Sequence, residues 1–188
     1  MNANLSAFTM RRRTLNWKAV KLYDEVMRVL TFGNEALRQK SEPVENIDGE
    51  IESLLAGMFK ILERHKGVGL AAVQIGIPRR FFITRIGNDA PRVFINPLII
   101  ETSGELADYE EGCLSLPGVW GQIMRPKMVR LQARNEKGKL LTIDADGILA
   151  RVIQHECDHL DGTLFIDKLS ALKRERLLNK YEKLKTKK

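Results

Sequence analysis

Between Asp48 and Lys66 the apolar residues Ile51, Leu54, Leu55, Met58, Ile61 and Leu62 recur every three or four positions, with polar residues filling the gaps. That spacing draws one apolar stripe along a helix, with Asp48 as its N-cap and Gly67 as its stop. Short strand-like runs come next, at Phe81–Ile86, Val93–Ile100, Met128–Ala133 and Leu140–Ile143. Gly, Pro, Asn and Asp separate them, as turn chemistry requires. A second helix is predicted from Ile148 to Leu160, stopped by Gly162. A short apolar run, Thr163–Ile166, follows, and then a third helix from Leu169 to Lys185. The strands lie in the middle of the chain and do not alternate with helices. The pattern therefore argues an α+β fold, with largely antiparallel sheets packed around the central helix 148–160 and a C-terminal helix beside them.

The chain has 188 residues, one domain's worth, and its 44% hydrophobic and 29% charged residues are the balance of a globular protein. No apolar run approaches the ~20 residues needed to span a bilayer, so no membrane partner is expected. Two cysteines, Cys113 and Cys157, make no disulfide framework, and an intracellular setting is expected. The net charge of +7 is unevenly spread. Residues 28–167 carry 17 basic and 20 acidic side chains, whereas residues 168–188 carry nine basic and two acidic ones. A mildly acidic body with basic ends implies a polyanionic partner for an end, not for the body. The chain divides accordingly into an N-terminal extension at 1–27, a body at 28–167 and a basic helix at 168–188. The extension, with Arg11, Arg12 and Arg13, reads as a transit peptide, a surface extension or an over-long gene start.

Three segments carry chemistry. His155-Glu156-Cys157-Asp158-His159 is an H-E-x-x-H on a predicted helix. At 3.6 residues per turn its histidines lie about 40° apart around the axis and one turn along it, so both imidazoles reach one metal ion. Glu156 then stands beside the ion, placed to exchange a proton with a bound water. A catalytic metal wants a third protein ligand, and no histidine follows His159. Cys113, in Glu111-Gly112-Cys113-Leu114-Ser115, supplies a thiolate suited to Fe²⁺ or Zn²⁺, while Cys157 points away from both histidines and reads as a packing residue. In Gly67–Gly76 the small residues let another backbone approach closely. There Gln74 reads either as a solvated turn glutamine or as an amide that donates to an oxyanion.

Together, G-x-G-L-A-A-x-Q-x-G at Gly67–Gly76, E-G-C-L-S at Glu111–Ser115 and H-E-x-D-H at His155–His159, in that order, resemble the peptide deformylase family. The resemblance spans roughly Val29 to Ile166, and the tail is similar to the C-terminal helix of the class typical of Gram-negative bacteria and organelles. It implies a metallohydrolase that removes the formyl group from the N-terminal formyl-methionine of nascent polypeptides and releases formate, hydroxide on the metal attacking the formyl carbonyl. It implies Cys113, His155 and His159 as ligands of one divalent ion, most often Fe²⁺, with Zn²⁺, Ni²⁺ or Co²⁺ able to substitute. Glu156 becomes the proton carrier, and Gln74 with the Leu114 backbone N–H the oxyanion donors. Gly67, Gly69 and Gly112 are implied to line an extended peptide, and Ile148 and Val152, with Leu114, its methionine pocket. The resemblance also implies a ribosome partner for the basic helix and a bacterial cytoplasm, or an organelle if residues 1–27 are a transit peptide; nothing in the sequence requires a dimer, and a monomer is expected. Many relatives place a substrate-contacting arginine near Gly118–Gln122. Here Trp120 stands there, and Arg125 is the nearest basic residue after it. A peptidase sharing only the H-E-x-x-H, and a decayed non-catalytic ribosome-associated protein, are the rival readings.

Overall fold

The computed structural model describes residues 27–186, so the transit-peptide and start-site readings of the first 26 residues lie outside the described residues. Helix α1, Gly49–Arg64, begins where expected. The Asp48 carboxylate accepts the backbone N–H groups of Glu50 and Ile51 at 3.1 and 3.2 Å, satisfying two donors that a helix start leaves open. Its apolar stripe from Ile51 to Leu62 is fully buried. The second helix, α2, runs Gly147–Leu160 and the third, α3, Ala171–Lys185, each within two residues of its predicted start.

Five strands form one antiparallel sheet: β1 (Gly69–Ala71), β2 (Phe81–Thr84), β3 (Arg92–Thr102), β6 (Val129–Arg134) and β7 (Leu140–Ala145), in the order β1-β2-β3-β6-β7. Side chains alternate across a strand, and here both faces are covered. Phe81 and Ile83 pack with Leu70, Val93 and Ile95 under the stripe of α1. Phe82 and Phe94 turn to the other face, against Ile153, Cys157 and Leu160 of α2. That double burial explains the unbroken apolar run Phe-Phe-Ile in β2. Cys157 is buried in this layer as a packing residue, and burial pushes its thiol up to about 12.

Two long strands differ from the sequence expectation. β4 (Leu106–Cys113) and β5 (Leu116–Pro126) form a separate antiparallel hairpin where no strand was expected. Tyr109, Trp120 and Met124 on it are more than half exposed, and Gly112, Gly118 and Gly121 interrupt it, so it shows no apolar alternation. Its inner face buries Leu116, Val119 and Ile123 against Phe165 and Ile166 and against Leu177 and Tyr181 of α3. The basic helix is therefore docked on the body by an apolar face. The short apolar run Thr163–Ile166 leads into a 3₁₀ turn, Phe165–Lys168. Strand β2 stops at Thr84, two residues short of the expectation. No helix among the described residues is long and apolar enough to cross a membrane.

Candidate metal centre

Helix α2 crosses behind the tip of the β4–β5 hairpin and beside β1, and these three elements bring the sequence motifs together. The ligand atoms of Cys113, His155 and His159 lie within 4.8 Å of one another. The Cys113 Sγ stands 3.2 Å from His159 Nε2. Cys113 ends β4 at an irregularity in the hairpin register, and the turn Leu114–Ser115 folds back over it, with the Ser115 backbone N–H 3.4 Å from the sulfur.

The donor set fits a divalent transition metal. His155 has its Nδ1 2.9 Å from Glu111 Oε2, so that nitrogen donates to the carboxylate and Nε2 is the one left to bind a metal. Burial disfavours a proton on His155, but contacts with Cys113 and Glu111 outweigh it and raise its pKa well above the ordinary value. A field that draws a proton to this nitrogen also draws a cation. Burial, with the charge at His155, lowers His159 well below its ordinary pKa, into the neutral form that ligates metals.

Glu111 is the residue whose role the sequence left unread. It is 5% exposed and accepts four hydrogen bonds at once, from three side chains. Arg125 donates twice, from Nε at 2.6 Å and Nη2 at 2.9 Å; Arg151 donates from Nη1 at 3.0 Å; His155 is the fourth. Burial alone would push its carboxyl up, but the bonds from Arg125 and His155 hold it well below the usual carboxylate range. Arg125 also donates to Asp158 at 2.6 Å, and Lys168 stands 3.1 Å from the same carboxylate. Arg125 is 3% exposed, so it is a clamp behind the three candidate ligands and does not stand in for a substrate-contacting arginine.

Glu156 and Gln74 face the same space. Glu156 is buried, its Oε2 has no hydrogen-bond partner among the described residues, and burial raises its pKa to about 7 against the opposing charge at His155. Gly69 makes room for it: a Cβ there would collide with Glu156 Oε1 and come within 2.7 Å of Val152 Cγ1. Gln74 is 1% exposed, which removes the solvated-turn alternative. Its Oε1 accepts the Ala71 backbone N–H at 2.8 Å, which fixes the amide orientation. Nε2 therefore points at Ser115 Oγ (3.2 Å) and Cys113 Sγ (3.5 Å).

One cavity of about 650 Å³ joins these groups. Gly67, Gly69, Gly112, Leu114, Ile148 and Val152 all line it together with Gln74, Cys113, His155 and Glu156, while His159 sits behind Cys113. Val152 is buried, Leu114 half-buried and Ile148 exposed at 41%. Strand β1 is an edge of its sheet, paired only with β2, and its start at Gly69 opens on the cavity. An extended chain can pair there.

Residues 26–175 match the family model described as Polypeptide deformylase. The peptide deformylase of Neisseria meningitidis serogroup B is 42% identical over 160 residues, covering 84% of this chain and 95% of the relative. Among solved structures, a peptide deformylase from Legionella pneumophila is 38% identical with a TM-score of 0.80, covering 87% of this chain and 99% of that one. The peptide deformylase from Ehrlichia chaffeensis in complex with actinonin is 37% identical with a TM-score of 0.81, covering 87% and 98%.

Proposed function

The chain belongs to the polypeptide deformylase family, and from that premise we propose how its residues carry out the family's reaction. The protein is a metal-dependent hydrolase that removes the formyl group from the N-terminal formyl-methionine of nascent polypeptides and releases formate. The observation that carries this reading is the convergence of Cys113, His155 and His159 at a cavity that Glu156 and Gln74 also line, beside a sheet edge.

Cys113, His155 and His159 would hold one divalent ion. When bound, the ion supplies a Lewis acid that makes water nucleophilic at neutral pH. The chain's own groups do the rest. Glu156, with an acceptor oxygen still open and a pKa of about 7, takes the proton of the attacking water and returns it to the leaving amine. Gln74 Nε2 and the Leu114 backbone N–H donate to the formyl oxygen as it gains charge, and Ala71 keeps the amide turned the right way. The peptide lies along β1 as an added strand past Gly67 and Gly69, with Gly112 on the facing wall and its methionine side chain against Leu114, Ile148 and Val152. Replacing Gln74 by alanine is expected to lower kcat by ~10²–10³. Steady-state formate release checks this, and a loss of less than fivefold rejects the donor role.

Formate as the only product, with no free amino acid, separates this reaction from a peptidase. Formate release from formyl-Met-Ala-Ser by anaerobically purified protein tests it; an amino acid in its place overturns it.

The metal proposed is Fe²⁺, the ion that the family resemblance most often implies; the donor set of a thiolate and two imidazoles also accepts Zn²⁺, Ni²⁺ or Co²⁺. Ferrous iron beside a thiolate is oxygen-sensitive, so activity should fall in air and survive under reductant. An as-isolated enzyme equally active in air contradicts iron. The basic helix α3 docks on ribosomal RNA. Its Leu177 and Tyr181 face inward and Lys173, Arg176, Lys180 and Lys183 face solvent. Co-sedimentation with ribosomes should weaken with salt and with Arg176→Glu/Lys180→Glu/Lys183→Glu; unchanged binding removes this role. The bacterial relatives support a bacterial cytoplasmic setting.

A further inference from the structure

A short segment at the start of the described chain ties two walls of the site together. Leu30 donates its backbone N–H to the Gln74 carbonyl at 2.7 Å, and Phe32 donates its own to the Ser115 carbonyl at 2.8 Å. The two acceptors belong to elements far apart in the chain. Gln74 lies in the 3₁₀ turn Ala72–Ile75, and Ser115 in the turn between β4 and β5. The same two residues also meet through Gln74 Nε2 and Ser115 Oγ at 3.2 Å. Gln74 carries one of the donors assigned to the formyl oxygen, and Leu114, beside Ser115, carries the other.

The segment is itself anchored. Downstream the chain turns at Gly33 (φ 100°) into the 3₁₀ turn Glu35–Arg38, where Asn34 Oδ1 accepts the Ala36 N–H at 3.0 Å and Leu37 is buried. Arg38 pairs with Asp167 and donates to the Gly162 carbonyl just past α2. Phe32 is the side chain that seats the segment. Its ring meets Tyr181 of α3 edge-on, with centroids 6.1 Å apart and planes at 89°. It packs on the cluster of Leu116, Val119 and Phe165, against which Cys113 also rests. Tyr181 is buried, and neither ring is among the residues lining the cavity.

We propose that Phe32, seated by Tyr181, is a positioning residue for the deformylase reaction: its ring holds the Leu30–Phe32 segment against the Gln74 and Ser115 carbonyls and so sets the spacing of the two oxyanion donors. The inference rests on the deformylase reading and adds to it a brace outside the cavity. Such donors act only when they stand about 2.7–3.1 Å from the developing oxyanion, and a displacement of about 1 Å can cost ~10²-fold in rate. The Leu114–Ser115 turn has little of its own to hold it. It follows an irregularity in the hairpin register, and its bond to the Cys113 sulfur is long, at 3.4 Å. The bond from Phe32 supplies the missing constraint. Ala71 turns the Gln74 amide, and Leu30 fixes the backbone that carries it. The apolar face of α3 thus acts on the chemistry while its lysines face solvent.

The test follows steady-state formate release from formyl-Met-Ala-Ser by the full chain, with kcat expressed per bound metal ion. Phe32→Ala is expected to lower kcat ~10-fold with KM changed by less than about twofold, because a misplaced donor weakens the transition state and not the ground state. Phe32→Leu, which keeps apolar bulk against Tyr181, should recover most of the rate. Tyr181→Ala empties the seat from the other side and should act in the same direction; it replaces Phe32→Ala where the thermal midpoint shows that variant unfolded. In a Gln74→Ala background the loss from Phe32→Ala should shrink to ~3-fold or less, because one of the two donors it sets is gone. A ring that serves stability alone would cost the same factor in both backgrounds. A folded Phe32→Ala or Tyr181→Ala enzyme with kcat within about twofold of the wild type overturns the brace. So does a loss confined to KM, or a full loss that persists beside Gln74→Ala. A wild-type enzyme that releases no formate overturns the deformylase reading, and the brace with it.

Discussion

Glu156→Ala is expected to bind its metal ion and to release formate ~10²–10⁴-fold more slowly than the wild type. The two halves of that expectation come from different features of one helix. His155 and His159 are a turn apart on α2 and converge with Cys113, whereas Glu156 projects beside them toward Gly69 and Val152. Removing its carboxylate leaves the ligand atoms and the Glu111 clamp untouched. What disappears is the one buried carboxylate oxygen in the cavity that has no partner among the described residues. Burial has already raised Glu156 to about 7, where neither protonation state is strongly favoured and a proton can be taken and returned. Glu156→Gln, which keeps the volume packed against Gly69, should be equally slow. Metal analysis with steady-state formate release checks both variants. A Glu156→Ala enzyme with a full complement of metal and full activity would sink the mechanism.

Glu111→Ala is expected to do something different: to lose stability first and metal affinity with it. The carboxylate neutralises two guanidinium groups that are less than 10% exposed, Arg125 and Arg151, and orients His155 through Nδ1. Removing one partner of a buried charge network leaves the others uncompensated, at about 3–5 kcal/mol. For a chain of this size that lowers the thermal midpoint by roughly 10 °C. The remaining pair of Arg125 with Asp158, which is 20% exposed on its side chain, recovers only part of the loss. Glu111→Gln keeps the shape and one acceptor, so it should fold better while binding metal ~10–100-fold more weakly, because the His155 ring loses its anionic orienter. Thermal denaturation and competition with a chelator separate the two effects. A Glu111→Ala protein that melts within a degree of the wild type contradicts the clamp.

These two residues also mark what could be read from the chain. Glu156 was legible because a helix has one dominant period: H-E-x-x-H fixes its own geometry within five residues, and α1 and α2 show the same period over their whole length. Glu111 was not legible in that way. Its partners are 14, 40 and 44 positions away and meet it only when the hairpin packs on α2. The hairpin itself gave no periodic signal, since β4 is mostly exposed and buries only Glu111 deeply. Its stability comes from pairing with β5 and from Leu116, Val119 and Ile123 beneath it, which belong to the next strand. Arg125 shows the same limit from the other side. Its position after Trp120 drew attention to it as a basic residue near the substrate, yet only the tertiary structure shows that the guanidinium turns inward to Glu111 and Asp158.

The central claim is that Cys113, His155 and His159 hold the one ion on which formate release depends. The direct measurement strips the protein with a chelator, then restores Fe²⁺ anaerobically while following bound metal and formate release from formyl-Met-Ala-Ser together. Activity should be absent in the stripped protein and should return in proportion to bound iron, reaching its plateau at about one ion per chain, as a single three-ligand site requires. A stripped protein that still releases formate at full rate, or one that rebinds one ion and stays inactive, contradicts the account.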